Sequence, residues 1–349
     1  MKLESLFKPV PKLDKKVFKK AQFRQNNLTK PIGSLGQLER LQIKISGMRG
    51  TVNNSIRTKN ILVFVADHGV TKHGVSAYPQ EVTSQMLKVF EQERAAINVI
   101  AKTVGASLHV YDLGVKYPPT NLTNVVSRSI AAGTNDMSVS SAMTKEEVSN
   151  AVLTGAEITN SHIRNGLDVI AFGEMGIGNT TPASAITSVM CKLPPAEVTG
   201  PGSGLSKDKI SEKIKIIEQA IKLNKPAREN PLQVLQCVGG LEIAAIVGGM
   251  LASAHNNVPI VLDGFITGAA ALIADALADG LREYLIAGHL SEEPGHLIQL
   301  NYLELEPLLR LSLRLGEGTG AALALSLVEA ACELSLSMKT FDELGITRS

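Results

Sequence analysis

The stretch Ile61-Leu62-Val63-Phe64-Val65-Ala66, followed at once by Asp67-His68-Gly69, decides the fold. Six apolar residues in a row, with β-branched and aromatic side chains among them, make a strand with no polar face. Such a strand is buried on both sides. The pattern recurs. Ser107–Asp112 reads SLHVYD, and Asp168–Phe172 reads DVIAF and runs into Gly173. Pro259–Leu262 (PIVL) ends at Asp263-Gly264, and Tyr284–Ala287 (YLIA) ends near His289. Between these runs the spacing is helical. Over Thr144–Asn165, Thr144 is a candidate N-cap and Glu147 closes a capping box. Val148, Val152, Gly155, Ile158 and Ile163 lie near one face, and Gly166 can end the helix. Pro182 is expected at the first helical position, after Thr181. Leu241 to Ala254, rich in Ala and Gly and bracketed by Glu242 and His255, reads as a buried helix. Buried strands alternating with helices predict an α/β fold with a parallel sheet covered on both faces. Ligands then bind beyond the carboxyl ends of the strands, which here are rich in Asp, His, Glu and Gly.

The ends of the chain carry no strand pattern. Residues 13–28 predict a basic helix, and residues 306–338 predict two helices parted by a loop at Gly316–Gly320. We therefore expect a large α/β catalytic domain over 30–295 and a small helical domain built from 1–29 and 296–349.

With 349 residues, 44% hydrophobic and 19% charged, the composition is that of a globular protein. Aromatics make up 4% and Trp is absent, which argues against the stacking platforms of a single-stranded nucleic-acid binder. Net charge is +2, yet seven lysines (Lys2, Lys8, Lys12, Lys15, Lys16, Lys19 and Lys20) fall in the first twenty residues. We read that run as the solvated face of an amphipathic helix rather than a nucleic-acid patch. Cys191, Cys237 and Cys332 are far apart and odd in number, as expected for unpaired thiols in a reducing cytoplasm. The N-terminus lacks the apolar core of a signal peptide, and the longest apolar stretches are broken well short of a membrane span.

Three glycine-rich segments and one loop can carry chemistry. Gly173-Glu174-Met175-Gly176-Ile177-Gly178-Asn179-Thr180-Thr181-Pro182 follows a strand and precedes a helix, where glycines let backbone amides approach an anion. A tight strand-to-helix turn is the plainer reading; Asn179, Thr180 and Thr181 favour anion binding. Thr199-Gly200-Pro201-Gly202-Ser203-Gly204-Leu205 precedes a helical pattern that starts near Lys207 and includes Lys213. Alone, it could be an ordinary loop. Arg314-Leu315-Gly316-Glu317-Gly318-Thr319-Gly320 sets a glutamate between two glycines. Glu317 is either a solvated loop residue or a carboxylate held against a ligand, where burial would make it a general base. Spacing alone does not choose. Finally, residues 67–86 hold Asp67, His68 and His73, whose spacing matches no common zinc site, and Ser76, Tyr78, Gln80 and Gln85, which suit recognition of a flat nitrogenous ring.

Absences narrow the chemistry. The sequence has no GxxxxGK[ST] and no GxSxG, so neither a P-loop NTPase nor a nucleophile-elbow hydrolase is expected. Gly173–Gly178 is not GxGxxG and lies too far along the chain for a first-strand dinucleotide fingerprint. No paired-acidic run of the kind that holds magnesium pyrophosphate follows a hydrophobic strand.

Taken together, the segments resemble one family. Lys30 to Glu39 (KPIGSLGQLE), ADHGV at 66–70, GVSAYPQEVT at 74–83, GEMGIGNTT at 173–181, TGPGSGL at 199–205, VLDGFITGAAAL at 261–272, SEEPGH at 291–296 and RLGEGTGAALAL at 314–325 look like the nicotinate-nucleotide–dimethylbenzimidazole phosphoribosyltransferases. The matches run in family order across nearly the whole chain. The resemblance implies transfer of phosphoribose from nicotinate mononucleotide to 5,6-dimethylbenzimidazole, giving α-ribazole phosphate and nicotinate for the lower axial arm of cobalamin. It also implies a Rossmann-like sheet flanked by helices, a small helical domain from both termini, and a homodimer, with no cofactor or metal. Glu317 falls at the position of the family's catalytic base, and Glu174 is assigned to ribose hydroxyls or to assisting it. Gly176, Gly178, Asn179, Thr180, Gly202, Ser203, Gly204, Lys213, Asp263, Gly316 and Gly318 are expected around phosphate and ribose. Ser76, Tyr78, Gln80 and Gln85 are expected to border the acceptor base. Three rivals stay open: an NAD-dependent oxidoreductase, a non-catalytic nucleotide-binding regulator, and the same transfer to another aromatic acceptor.

Overall fold

The computed structural model describes residues 2–347. Six strands form one sheet: β1 (Lys59–Ala66), β2 (Ser107–Gly114), β3 (Val125–Ser127), β4 (Val169–Met175), β5 (Ile260–Leu262) and β6 (Leu285–Ala287). Their order is β3-β2-β1-β4-β5-β6 and every pairing is parallel. All eight residues of β1 are buried, as its unbroken apolar run requires. Five strands were legible in the sequence. The sixth, β3, is a three-residue edge strand with two exposed residues, too short and too polar to show as a periodic run.

Helices cover both faces. The Lys145–Arg164 helix begins with the expected capping box: the Glu147 N–H donates to Thr144 Oγ1 at 3.1 Å, and the Thr144 N–H donates to Glu147 Oε2 at 2.7 Å. It packs so tightly on the fully buried Leu241–His255 helix that a Cβ on Gly155 would lie 1.9 Å from the Ala245 carbonyl oxygen. This backbone-to-backbone approach explains the Ala/Gly-rich composition there.

Two local expectations are corrected. The helix after the first glycine loop is Thr180–Cys191, so Pro182 is its third residue, not its first; it is tolerated because N–H groups in the first turn have no helical partner. Residues 306–315 are not a helix. Their backbone groups pair instead with the chain leaving β6: Leu308 N–H with the Ala287 carbonyl at 3.0 Å, Leu290 N–H with Leu309 at 2.9 Å, and Glu292 N–H with Leu313 at 3.0 Å. An extended partner had already satisfied the amides a helix would have used.

The chain ends meet. Asp14 caps the Lys15–Asn27 helix, and Arg24 of that helix donates to the Ser335 and Met338 carbonyls at 2.8 and 3.2 Å. Gln25 donates to Gln42 of the Gln37–Arg49 helix at 3.0 Å. The early lysines are exposed. The Thr319–Ser337 helix is long and apolar enough to cross a membrane, with a mean hydropathy of 1.4, although no such stretch was expected. However, 56% of that window is buried in the protein, and its first residues face the sheet rather than solvent.

Candidate functional site

The order 3-2-1-4-5-6 places a crossover reversal between β1 and β4, where the chain leaves the sheet in opposite directions and opens a crevice. A cleft of about 750 Å³ of empty space, part of it open solvent, lies at the carboxyl ends of β4, β5 and β6. One wall is Glu174 to Thr180. Gly202 and Ser203 form a second, and His289, Ser291 and Glu293 a third, with Arg314 to Gly316 closing it.

Both glycine loops contain backbone that favours glycine. Gly178 has φ +87°, and Gly202 and Gly204 have φ +55° and +112°. The first loop delivers the chain into the Thr180–Cys191 helix, whose N-terminus faces the cleft. Lys213 is fully buried; its Nζ donates to Thr180 Oγ1 at 2.7 Å, and burial pulls its pKa down to about 8. Glu293 Oε1 accepts the Gly202 N–H at 2.8 Å. Burial pushes its carboxyl up, against the pull of Lys213. Ser291 Oγ and His289 Nδ1 are buried with no hydrogen-bond partner among the described residues, on the cleft wall. Orphaned polar atoms in such a place mark where polar groups of a ligand belong. With Lys213, Arg314 and the loop amides, this end of the cleft suits a phosphorylated sugar.

Of the two candidate carboxylates, Glu174 lines the cleft, and Glu317 lies just behind the lining residue Gly316 without lining it. Glu317 is 5% exposed and has φ +61°, between Gly316 at +90° and Gly318 at +88°. Glu317 is therefore not a solvated loop residue. Burial raises its pKa and the charge of Asp263 adds to that, while the Ile97 N–H, 3.4 Å from Oε2, opposes it. Glu174 is also 5% exposed. Burial pushes its pKa well up, Asn179 Nδ2 bonded to Oε2 pulls it down, and Asp263, Glu242 and Glu317 push it further up. The backbones interlock: a Cβ on Gly173 would lie 2.3 Å from the Glu317 carbonyl oxygen.

Of the residues expected to hold phosphate and ribose, Gly176, Gly178, Asn179, Thr180, Gly202, Ser203 and Gly316 line the cleft. Lys213 stands behind Thr180, Gly204 is near Arg314, and Gly318 packs against Gly173 and Ile61. Asp263 is 1% exposed and sits behind the cleft, its carboxylate filled by three backbone N–H groups of Gly318, Gly320 and Ala321. Of the expected acceptor residues, Ser76 reaches the cleft, with its Oγ 2.9 Å from Ser203 Oγ. Tyr78 and Gln85 are exposed and Gln80 half-buried, on the loop and helix beyond it. His68 and His73 diverge: His68 pairs with buried Glu242 at 2.8 Å, and His73 with Asp136 at 2.7 Å. Sequence reasoning gave no role to His289, Ser291, Glu293 or Arg314. Their signal was the rule of strand ends, since His289 follows β6 and the chain to Glu293 continues it.

A phosphoribosyltransferase family model matches residues 10–346. The chain belongs to the nicotinate-nucleotide–dimethylbenzimidazole phosphoribosyltransferase family. It is 48% identical over 337 residues to the enzyme of that name from Desulforudis audaxviator, covering 97% of this chain and 96% of that one. It is 45% identical to the enzyme from Chloroflexus aurantiacus over 345 residues, covering 99% and 98%. The crystal structure of CobT from Thermus thermophilus superposes with a TM-score of 0.92 at 42% identity, covering 96% of this chain and all of that one. In this family member the resemblance carried by the glycine segments thus extends to the whole fold.

Proposed function

We propose that the protein transfers phosphoribose from nicotinate mononucleotide to 5,6-dimethylbenzimidazole, releasing nicotinate and forming α-ribazole 5′-phosphate for the cobalamin nucleotide loop. The observation that carries the reading is one cleft bordered by two glycine loops, with Arg314 and Glu174 on its wall, buried Lys213 behind Thr180, and buried Glu317 next in the chain to the lining residue Gly316.

The chemistry follows from charge. The nicotinate ring nitrogen is cationic in the donor, so it leaves as a neutral pyridine. One nitrogen of the acceptor attacks the anomeric carbon while the other carries a proton. As the new bond forms, positive charge grows on the acceptor ring, and a carboxylate that takes the proton relieves it. Burial raises the pKa of both glutamates, and we assign the base to Glu317, the carboxylate held on the glycine-flanked turn. Glu174, on the cleft wall, is assigned to a ribose hydroxyl or to assisting Glu317. Arg314, Lys213 and Ser291 hold the 5′ phosphate against the Gly176–Gly178 and Gly202–Gly204 loops, with the Gly202 N–H kept on Glu293, and the segment carrying Ser76, Tyr78, Gln80 and Gln85 borders the acceptor.

The test is product formation. The protein is incubated with nicotinate mononucleotide and a panel of acceptor bases, and products are identified by mass. Dimethylbenzimidazole should give α-ribazole phosphate, and Glu317→Ala should lower nicotinate release by roughly two to four orders of magnitude, about 3–5 kcal/mol in the barrier. Near-wild-type release by the variant removes Glu317 from the mechanism. The three free cysteines favour a cytoplasmic location. A homodimer is the assembly we propose on the family resemblance, to be read by light scattering.

A further inference from the structure

Asp263 follows β5 beneath the site, is not itself part of the cleft wall, and accepts its hydrogen bonds from the backbone that follows Glu317. We propose that Asp263 is the positioning residue of Glu317, acting on the reaction through the base and not through the substrate. The inference rests on the reading of Glu317 as the base.

Three hydrogen bonds carry it. Asp263 Oδ1 accepts the N–H groups of Gly320 and Ala321 at 2.8 and 3.0 Å, and Oδ2 accepts that of Gly318 at 3.2 Å. One carboxylate thus takes up orphan amides at the start of the Thr319–Ser337 helix and pins the turn before it. That turn needs pinning. Gly316, Glu317 and Gly318 are three consecutive left-handed residues, and Glu317 carries the Cβ penalty of that conformation. A strained residue persists only where its surroundings over-determine it. Asp263 fixes the turn from the helix side, and the close approach of Gly173 fixes it from β4.

Asp263 also sets the field at the base. The groups facing Glu317 are Asp263 from the end of β5, Glu174 from β4, and the Ile97 N–H from the Ala96–Thr103 helix. Beside Asp263, on the cleft wall, His289 Nε2 lies 3.5 Å from Oδ1, and the His296 ring packs edge-on against His289. Burial holds His296 neutral, its pKa drawn down to about 3. The negative charge of Asp263 makes Glu317 a stronger base. Removing it lowers the pKa of Glu317, so the acid limb of the kcat profile moves to lower pH while the plateau falls.

The experiment is a double-mutant cycle of Asp263→Asn and Glu317→Gln, read as nicotinate release from nicotinate mononucleotide and dimethylbenzimidazole between pH 5 and 9. Asp263→Asn should lower kcat roughly tenfold to a hundredfold and leave the donor KM within about threefold. Its acid limb should shift downward, and it should cause no further loss in the Glu317→Gln background. A raised donor KM with kcat kept, or losses that multiply in the double variant, overturns the proposal and returns Asp263 to the substrate contacts. If Glu317→Gln itself stays near wild type, the base reading fails instead. Asp263→Ser, which keeps a short acceptor without the charge, is carried through the same cycle, with thermal unfolding followed for each variant.

Discussion

Glu174 Oε1 lies so close to the α-carbon of Gly316 that a methyl group there would sit 2.3 Å from it. The carboxyl of one glycine segment is therefore seated on the backbone of another, about 140 residues later in the chain. Gly316→Ala must displace Glu174 and also adopt φ near +90°. We expect kcat to fall by at least about a hundredfold, with about 1–2 kcal/mol of stability lost to the left-handed conformation. Gly50→Ala is the control: φ is +67°, but nothing lies within 4 Å of the added methyl, so it should lose similar stability and keep its activity. Steady-state kinetics and thermal unfolding on the pair separate strain from displacement.

The buried glutamates weaken the fold at neutral pH. Both Glu174 and Glu317 have pKa values above the ordinary 4.5, so the native state holds protons that the unfolded chain releases. Stability then falls as pH rises from about 4.5 through the raised values. Glu174→Gln keeps the oxygen that Asn179 bonds and removes the charge. It should raise Tm by about 2–4 °C at pH 8, roughly 1 kcal/mol, with no gain near pH 4.5 and with activity reduced. An equal Tm change at both pH values would deny the charge its part.

Glu293 shapes the second glycine loop through its bond to the Gly202 N–H. Glu293→Ala leaves that amide without its carboxyl acceptor, and a buried donor left unpaired costs about 1–3 kcal/mol. Donor KM should rise roughly tenfold to a hundredfold while kcat changes little. Initial rates at varied nicotinate mononucleotide, with dimethylbenzimidazole saturating, read the split.

Lys213 should impose an alkaline limit on donor binding. Its pKa is drawn down to about 8, so its positive charge is lost as pH rises through that value. Donor KM should climb above pH 8 in the wild type. Lys213→Arg, which stays charged throughout, should flatten that rise. Donor KM measured from pH 7 to 9.5 on both proteins decides it.

Much of the fold was legible because β1 and β4 are long apolar runs whose burial leaves no other reading. The terminal segment was not. Residues 306–315 have helix-forming composition, but their partner, the chain after β6, is supplied only by the tertiary fold. The site was legible where chemistry needs an unusual backbone. Gly178, Gly202 and Gly316 all have positive φ and all line the cleft. Ser291 and Glu293 have no unusual backbone, and their place after β6 within the SEEPGH segment was the signal they carried. Asp263 was legible as a strand-end carboxylate. What it bonds is set by a helix more than fifty residues downstream.

Gly173, Asp263, Gly316, Glu317 and Gly318 hold one another in place through atoms that no other side chain can reproduce. Drift at any of them is blocked one step at a time, because each single change meets a partner that has not yet changed. Tyr78 and Gln85 stand exposed on a separate loop and helix, with no such lock. The exposed rim can therefore change one residue at a time while the buried turn around Glu317 stays fixed.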